Sequence, residues 1–390
     1  MTATNASPEG MGVLRRMGSR IALRNYTLLI VVTAVWIVFQ VLTGIFLSPR
    51  NLTLLALQSS ITALAAISAV MLIVTRNFDV SVGSAVALVG VVAAIATSPT
   101  KLGLDPVIGF ALALLAGLAL GAWNGLWVTR IGVPSFIVTL AGLLYFRGIS
   151  MIVTNGATVS PVPSSMRSFG NDSLGPAYSV ALVALVALSY VAFRVVTARR
   201  ALKLGLIRDL RSTLVRSLLP ALVATAAAMW VAAGQGLPYL VILLGAAAIA
   251  AEVLMRRSRF GSHLYAIGGN PEAARLAGIN VDREIFRNFL IAGLAYGLTG
   301  IALTCRINGA VAGSAGIGLE LDAIAAAIIG GTSLAGGRGT IIGALLGATL
   351  MGSLNNGMSL MNVPTFYQDT ARGVVLLVAV AIDMVGRRRY

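Results

Sequence analysis

"YTLLIVVTAVWIVFQVLTGIFL" (Tyr26–Leu47) runs for 22 residues without one Asp, Glu, Lys or Arg. As an α-helix it would rise about 33 Å at ~1.5 Å per residue. That is enough to cross a hydrocarbon core of ~30 Å. It is too long for the ~7–15-residue apolar region of a cleavable signal. The segment before it, 1–25, is polar and carries Arg15, Arg16, Arg20 and Arg24. Tyr26–Leu47 therefore reads as a first membrane span whose N-terminal side is cytoplasmic. The rest of the chain agrees. It has 390 residues, 57% hydrophobic and 11% charged, against ~25% charged in a soluble domain. Its mean hydropathy is +0.90. A transmembrane β-barrel would show short alternating segments instead of long apolar runs. The predicted fold class is all-α, a polytopic helical membrane protein with about 10–12 transmembrane helices.

Working outward, apolar runs mark spans at 26–47, 52–75, 80–97, 106–129, 133–153, 177–196, 218–233, 238–255, 288–306, 321–335, 340–358 and 367–386. The short or Gly-broken runs 80–97 and 321–335 suit half-spanning or re-entrant segments. If 1–25 is inside, alternation also places 197–217, 256–287 and 387–390 inside. Those are the basic segments: Arg199, Arg200, Lys203, Arg208, Arg211 and Arg216; then Arg256, Arg257, Arg259, Arg275, Arg283 and Arg287; then Arg387, Arg388 and Arg389. The opposite side has only scattered charges, namely Arg50, Lys101 with Asp105, Arg167 with Asp172, and Glu320. The positive-inside rule supports this parity. The predicted organisation is a cytoplasmic segment 1–25, a transmembrane domain 26–386, and a cytoplasmic tail 387–390. Within the domain lie a periplasmic loop 154–176, a basic cytoplasmic loop 197–217 and a second cytoplasmic loop 256–287. The loop 154–176 is rich in Ser, Pro, Gly and Asn and reads as turn chemistry without an apolar period.

The net charge of +16 is accounted for by these basic loops and does not require nucleic acid. The single cysteine, Cys305, excludes an internal disulfide, and with His263 as the one histidine no Cys/His metal set exists. Cys305 lies in an apolar run and reads as a small packed residue; His263 reads as a loop residue. No G-x-x-x-x-G-K-[ST], G-x-S-x-G or H-E-x-x-H occurs, since Gly331 and Gly336 are followed by Gly337-Arg338. No catalytic or metal residues are assigned, and any nucleotide that drives the protein binds another subunit.

Three polar interruptions stand out. "AIGGNPEAARLAGINVDR" (Ala266–Arg283) reads as a Gly268-Gly269 turn followed by a short helix. Asn270 is a good N-cap, with Pro271 at the first helical position. Glu272 suits the positive end of the helix dipole, and Gly278 is a stop. Two turns are not stable alone, so this helix rests on its own protein or docks into a partner. Its apolar side is Ala273, Ala274, Leu276 and Ala277. "TRNFDVSVGS" (Thr75–Ser84) puts Arg76, Asn77 and Asp79 between apolar runs, where charge must pair or line a wet cavity; Arg76 with Asp79 is one possible pair. "ELDAIAAAIIGGTSLAGGRGT" (Glu320–Thr340) opens on Glu320 and Asp322 and closes in a Gly-rich turn. Small-residue stretches, Ala116–Gly125 and Gly343–Gly357, suit close helix packing. A weak internal likeness links Asn77–Gly90 to Gly331–Gly347, each a polar turn that opens a small-residue helix.

Three function classes fit: a permease subunit with a docking loop, an ion-coupled secondary transporter, and a membrane enzyme. Asp79, Asp322, Asp369 and Asp383 fall near span ends, which disfavours ion coupling. No reactive cluster favours an enzyme. The matching stretches "RNFDVSVGS" (Arg76–Ser84), "VPSFIVTLAGLLYFRGISMIVTNG" (Val133–Gly156), "FGSHLYAIGGNPEAARLAGINV" (Phe260–Val281), Glu320–Thr340 and "GSLNNGMSLMNVPTFYQ" (Gly352–Gln368) run through most of the chain. In them the sequence resembles the permeases of bacterial ABC importers for monosaccharides. Three spans, not one, lie between the outer loop and the loop 256–287, a longer form most similar to the D-xylose permeases of that family; ribose, arabinose and galactose or glucose permeases are similar too.

The resemblance implies a bacterial inner-membrane homodimer, a cytoplasmic ATPase that holds ATP and Mg, a periplasmic sugar-binding protein, and no cofactor in this chain. It also implies that Gly268, Gly269, Asn270, Pro271, Glu272, Ala273, Ala274, Arg275, Leu276 and Gly278 form the ATPase-coupling loop. Their "EAARLAG" fits the E-A-A-x-x-x-G signature of importer coupling loops, without the downstream Leu-Pro of its fuller form. A neutral sugar needs hydroxyl and amide partners along its path. Asn77, Asp79, Ser81, Ser84, Asn124, Asn355 and Asn356 are the candidates, each equally able to bond between helices.

Overall fold

The computed structural model describes residues 28–203 and 235–388, with residue 209 and scattered positions from Leu214 to Gly234, which are helical. The expectations placed on 1–25, Arg208, Arg211, Arg216 and Arg389 lie outside the described residues. Fourteen described helices carry the fold: α1 (Leu28–Thr43), α2 (Pro49–Val74), α3 (Val82–Thr97), α4 (Pro106–Leu126), α5 (Ser135–Thr154), α6 (Ser164–Asn171), α7 (Pro176–Lys203), α8 (Tyr239–Arg257), α9 (Arg259–Gly269), α10 (Pro271–Leu276), α11 (Val281–Ile307), α12 (Leu319–Ile329), α13 (Ile341–Leu360) and α14 (Thr365–Arg388). Among the described residues, α2, α4 with the π turn Trp127–Ile131 that extends it, α5, α7, α8 and α11 are long and apolar enough to cross a membrane. The protein is a multi-pass, all-α membrane protein.

The helix starts follow local chemistry. Ser48 caps α2 by accepting from the Asn51 amide, with Pro49 in the first turn. Asp105 caps α4 by accepting from the Val107 amide at 2.8 Å, with Pro106 behind it. In both, proline sits where its missing N–H is harmless. Helix α2 is the hub, buried along most of its length, while α7 buries only Ser179 and Ala198. Helices α4 and α11 touch backbone to backbone. A Cβ on Gly117 would lie 2.4 Å from the Gly293 carbonyl, and one on Gly121 2.3 Å from that of Phe289. The small residues of Ala116–Gly125 thus pack helices at close range, as in lipid they must to gain dispersion contact.

Two helices inside the bundle, α3 and α12, are too short for a full crossing. Helix α3 has 16 residues and α12 has 11, about 24 and 16 Å. These are the runs expected to be half-spanning, although the helical part of 321–335 ends at Ile329. The starts of α3 and α12 meet inside the bundle, since a Cβ on Gly83 would strike the Gly316 carbonyl at 2.1 Å. Asn77–Gly90 and Gly331–Gly347 do share a local form, a non-helical connector that opens into α3 or α13.

The loop 154–176, whose turn chemistry fitted an ordered or a mobile segment, is ordered. Thr158–Val159 pairs antiparallel with Ala310–Val311, and Ser173–Leu174 with Leu237–Pro238. Helix α6 lies on α11, where the Asn171 amide donates to the carbonyls of Cys305 and Arg306. Cys305 is fully buried, as expected of a small packed residue. His263 is on helix α9, not in a loop, with Nδ1 3.0 Å from Glu284 Oε1.

Candidate functional site

The site begins at a break in the bundle. Helix α2 stops at Val74, and Thr75–Ser81 runs non-helically before α3. Unpaired backbone inside a bilayer costs several kcal/mol per group, so a break survives only where other groups satisfy it. Here α5 does so. Ser135 Oγ accepts from the Phe78 amide at 3.1 Å, and Thr139 Oγ1 accepts from the Val80 amide at 3.2 Å. The Asn77 amide donates to the carbonyl and hydroxyl oxygens of Thr75, and Asn288 of α11 donates to the Met71 carbonyl. "PSF" at 134–136 thus does more than start a helix. Its Ser135, with Thr139 one turn on, supplies hydroxyls at the level of the break.

Asp79 sits at the centre, 3% exposed. Its Oδ1 accepts from the amide and hydroxyl of Ser81 at 2.7 and 2.6 Å. Its Oδ2 accepts from the hydroxyl of Tyr296, which is fully buried on α11. The network continues through Asn124 of α4, whose Nδ2 donates to Ser81 Oγ at 3.1 Å and whose Oδ1 accepts from Tyr145 at 3.3 Å. Ser84 Oγ donates to the Ser81 carbonyl at 2.9 Å. Four of the sugar-path candidates, Asp79, Ser81, Ser84 and Asn124, therefore converge on one buried network that joins α3, α4, α5 and α11. Tyr296 and Tyr145 belong to it and were not read from the sequence, because each lies in an apolar run where an aromatic side chain reads as packing.

Asn77 bonds at the inner edge of the break. Asn355 and Asn356 are elsewhere. Asn356 exchanges two amide hydrogen bonds with Asn51, at 2.8 and 3.1 Å, which tie α13 to the start of α2. Asn355 keeps a buried Oδ1 with no partner.

The expected Arg76–Asp79 pair does not form. Arg76 has φ +63°, and its side chain points away from Asp79 and toward the C-terminal end of α9. Its Nε donates to the Gly268 carbonyl at 2.8 Å and its Nη2 to that of Gly269 at 2.7 Å. Asp79 is left with neutral donors.

Gly268 and Gly269 form the last turn of α9, not a tight turn; the chain turns at Asn270. Gly268 is buried where three segments meet. The Gly337 amide donates to the Val74 carbonyl at 2.8 Å. A Cβ on Gly268 would lie 1.7 Å from that carbonyl oxygen and 2.4 Å from the Gly337 nitrogen. Tyr265 adds a bond, donating to the Gly339 carbonyl at 2.8 Å; burial raises its phenol pKa above the ordinary value. The Gly-rich turn Gly330–Thr340 thus braces α9 against the end of α2.

Beyond this junction α10 projects. Asn270 Oδ1 accepts from the amides of Glu272 and Ala273 at 3.0 and 3.1 Å, the predicted cap. Gly278 has φ +83° and ends the turn. Ala274 is the one buried residue of the helix and packs with Ile267 and Val281. Of the other residues on its apolar side, Ala273 and Ala277 are exposed, and Leu276 is 91% exposed. It is the most exposed large hydrophobic side chain among the described residues. Arg275 reaches Asp282 at 3.4 Å, an exposed pair of little energetic weight.

Of the other acidic residues, Asp322 lies 3.4 Å from Arg372, which also pairs with Asp369 at 2.8 Å. Arg147 of α5 donates to the carbonyls of Ala312 and Ala315 and holds the 310–318 loop beside Glu320.

Residues 51–380 match the family described as branched-chain amino acid transport system / permease component. The xylose transport system permease protein of Escherichia coli strain K12 is 42% identical over 94% of this chain and 93% of its own length. That of Haemophilus influenzae is 41% identical over 94% and 98%. The ribose import permease protein of Escherichia coli strain K12 is 33% identical over 95% and 96%. No solved structure matches the chain. A family match across the fold and full-length identity to transport permeases agree with the all-α, multi-pass architecture. The chain belongs to this permease family and, within it, to the monosaccharide ABC importer permeases.

Proposed function

We propose that the chain is the membrane subunit of an ATP-driven importer that carries D-xylose into the cytoplasm. Two copies form the pathway in the bacterial inner membrane, with both termini cytoplasmic. An ATPase with its ATP and Mg docks at the basic end, and a periplasmic sugar-binding protein delivers substrate at the other. The chain itself performs no catalysis. The observation that carries the reading is α10, a capped peg whose only buried residue is Ala274 and whose Leu276 stands free. An exposed leucine beside Glu272 and Arg275 suits insertion into a groove on a partner, where burial of such a side chain is worth ~1.5–3 kcal/mol. The basic segments around it agree with a cytoplasmic position.

Closure of the ATPase would move both pegs as rigid bodies and reorient the pathway, the general form of alternating access. Asn77, Asp79, Ser81, Ser84 and Asn124 are the proposed polar side chains at the moving break, and Asn355 and Asn356 those on α13. In the present conformation all but Asn355 are buried. They therefore meet sugar only if the network opens during the cycle.

The identity to xylose permeases supports the substrate, and the lower identity to ribose permeases sets the alternative. The experiment is uptake of labelled D-xylose, ribose, arabinose and galactose into proteoliposomes that hold permease, ATPase and binding protein. D-xylose uptake that needs ATP and survives a proton uncoupler supports the reading. Uptake without ATP that collapses with the uncoupler would instead assign a secondary transporter. Glu272→Lys and Arg275→Glu are expected to uncouple uptake while the protein still inserts; normal uptake in both would remove the coupling role of α10.

A further inference from the structure

We propose that Arg76 is a positioning residue that links the coupling helix α10 to the break Thr75–Ser81, so that movement of the peg is felt by the buried Asp79–Tyr296 network. The proposal rests on the reading of α10 as the coupling helix.

Arg76 occupies a left-handed backbone position, φ +63°. A side chain there is strained, and glycine would adopt the turn without that penalty. The arginine must therefore contribute through its guanidinium. That group donates to the carbonyls of Gly268 and Gly269, the last two residues of α9, at 2.8 and 2.7 Å. Those carbonyls are the unpaired, negative end of the helix, where a cation is favoured. Two donors in a fixed planar fork hold orientation as well as distance. The next residue after Gly269 is Asn270, whose side chain caps α10.

On its other side Arg76 is continuous with the break. Phe78 and Val80 are held by Ser135 and Thr139 of α5, and Asp79 by Ser81 and Tyr296. A short chain of bonded groups thus runs from the base of the peg to α3, α4, α5 and α11. Arg76 itself is exposed. Its replacement is therefore expected to leave the fold intact.

The test uses the full complex of permease, ATPase and sugar-binding protein in proteoliposomes, with Arg76→Gly, Arg76→Gln and Arg76→Lys. Three quantities are read: ATPase co-purification, ATP hydrolysis, and labelled D-xylose taken up per ATP. The glycine and glutamine variants are expected to bind ATPase and hydrolyse ATP normally, while uptake per ATP falls roughly 10-fold, the scale of one charged hydrogen bond. Lysine, with one donor in reach instead of a fork, is expected to fall between. Uptake per ATP at the wild-type value in Arg76→Gly would overturn the proposal, because the arginine would then only fill a turn. Loss of membrane insertion in all three variants would overturn it too, by assigning Arg76 to folding. Glu272→Lys separates the two readings. If it leaves both ATPase binding and uptake intact, the coupling role of α10 fails. If it abolishes binding while Arg76→Gly transports normally, only the link fails.

Discussion

Gly268→Ala and Gly269→Ala change adjacent residues by the same methyl group and are expected to have opposite effects. At Gly268 the added Cβ would lie 1.7 Å from the Val74 carbonyl oxygen and 2.4 Å from the Gly337 nitrogen. Both are backbone atoms, so neither swings aside as a flexible side chain would. Relief requires α9 to withdraw from α2 or the 333–339 turn to shift. Overpacking of this kind costs about 1–3 kcal/mol. Separating Gly337 from Val74 also breaks their 2.8 Å hydrogen bond, worth ~1 kcal/mol. The sum is about 2–4 kcal/mol. At Gly269 nothing lies within 4 Å of the added atom, and alanine in a helix gains ~0.5–1 kcal/mol over glycine. The assay is thermal denaturation of the detergent-solubilised proteins, followed by tryptophan fluorescence, with ATPase co-purification as a second readout. Gly268→Ala should melt lower and bind ATPase less well, since the peg's base is displaced. Gly269→Ala should melt at or above the wild type. Equal melting of the two variants would refute the three-way junction as the support of α10.

Other outcomes follow from the same geometry. Leu276→Asp should leave melting unchanged, because the side chain is 91% exposed, yet weaken ATPase binding by ~2 kcal/mol or about 30-fold in affinity, read by titration. Tyr296→Phe should destabilise the protein by ~1–3 kcal/mol, since it removes the hydroxyl that Asp79 Oδ2 accepts from. A double-mutant cycle with Asp79→Asn should show coupling of ~0.5–3 kcal/mol. Asn356→Ala should cost ~1–3 kcal/mol by leaving the buried Asn51 Oδ1 without a donor, and Asn51→Leu in the same chain should recover part of it, both measured by thermal melting.

What the sequence revealed was what it encodes locally. Asn270-Pro271-Glu272 and Gly278 are cap and stop signals that need no tertiary context, and α10 formed where they placed it. The breaks at Thr75–Ser81 and Gly330–Thr340 were visible because polar and glycine residues interrupt apolar runs. Long-range pairing was not visible. Asn51 and Asn356 are 305 residues apart, and Tyr296 looks like any aromatic in an apolar helix. The Arg76–Asp79 pair was suggested by closeness in sequence. In the structure Arg76, on a left-handed backbone, points away from Asp79 and bonds the end of α9 instead. The Gly-Gly pair suggested a turn, whereas Gly268 is needed for space against Val74 inside a helix. The order in 154–176 came from strand partners at 310–311 and 237–238, which no local pattern announces.

The central claim is that energy reaches this chain through α10 from a separate ATPase. The most direct measurement is D-xylose uptake into proteoliposomes of the full complex, with and without ATP, for the wild type and Leu276→Asp. ATP-dependent uptake is expected in the wild type, and loss of both ATPase binding and uptake in the variant. Undiminished, ATP-dependent uptake by Leu276→Asp would contradict that claim.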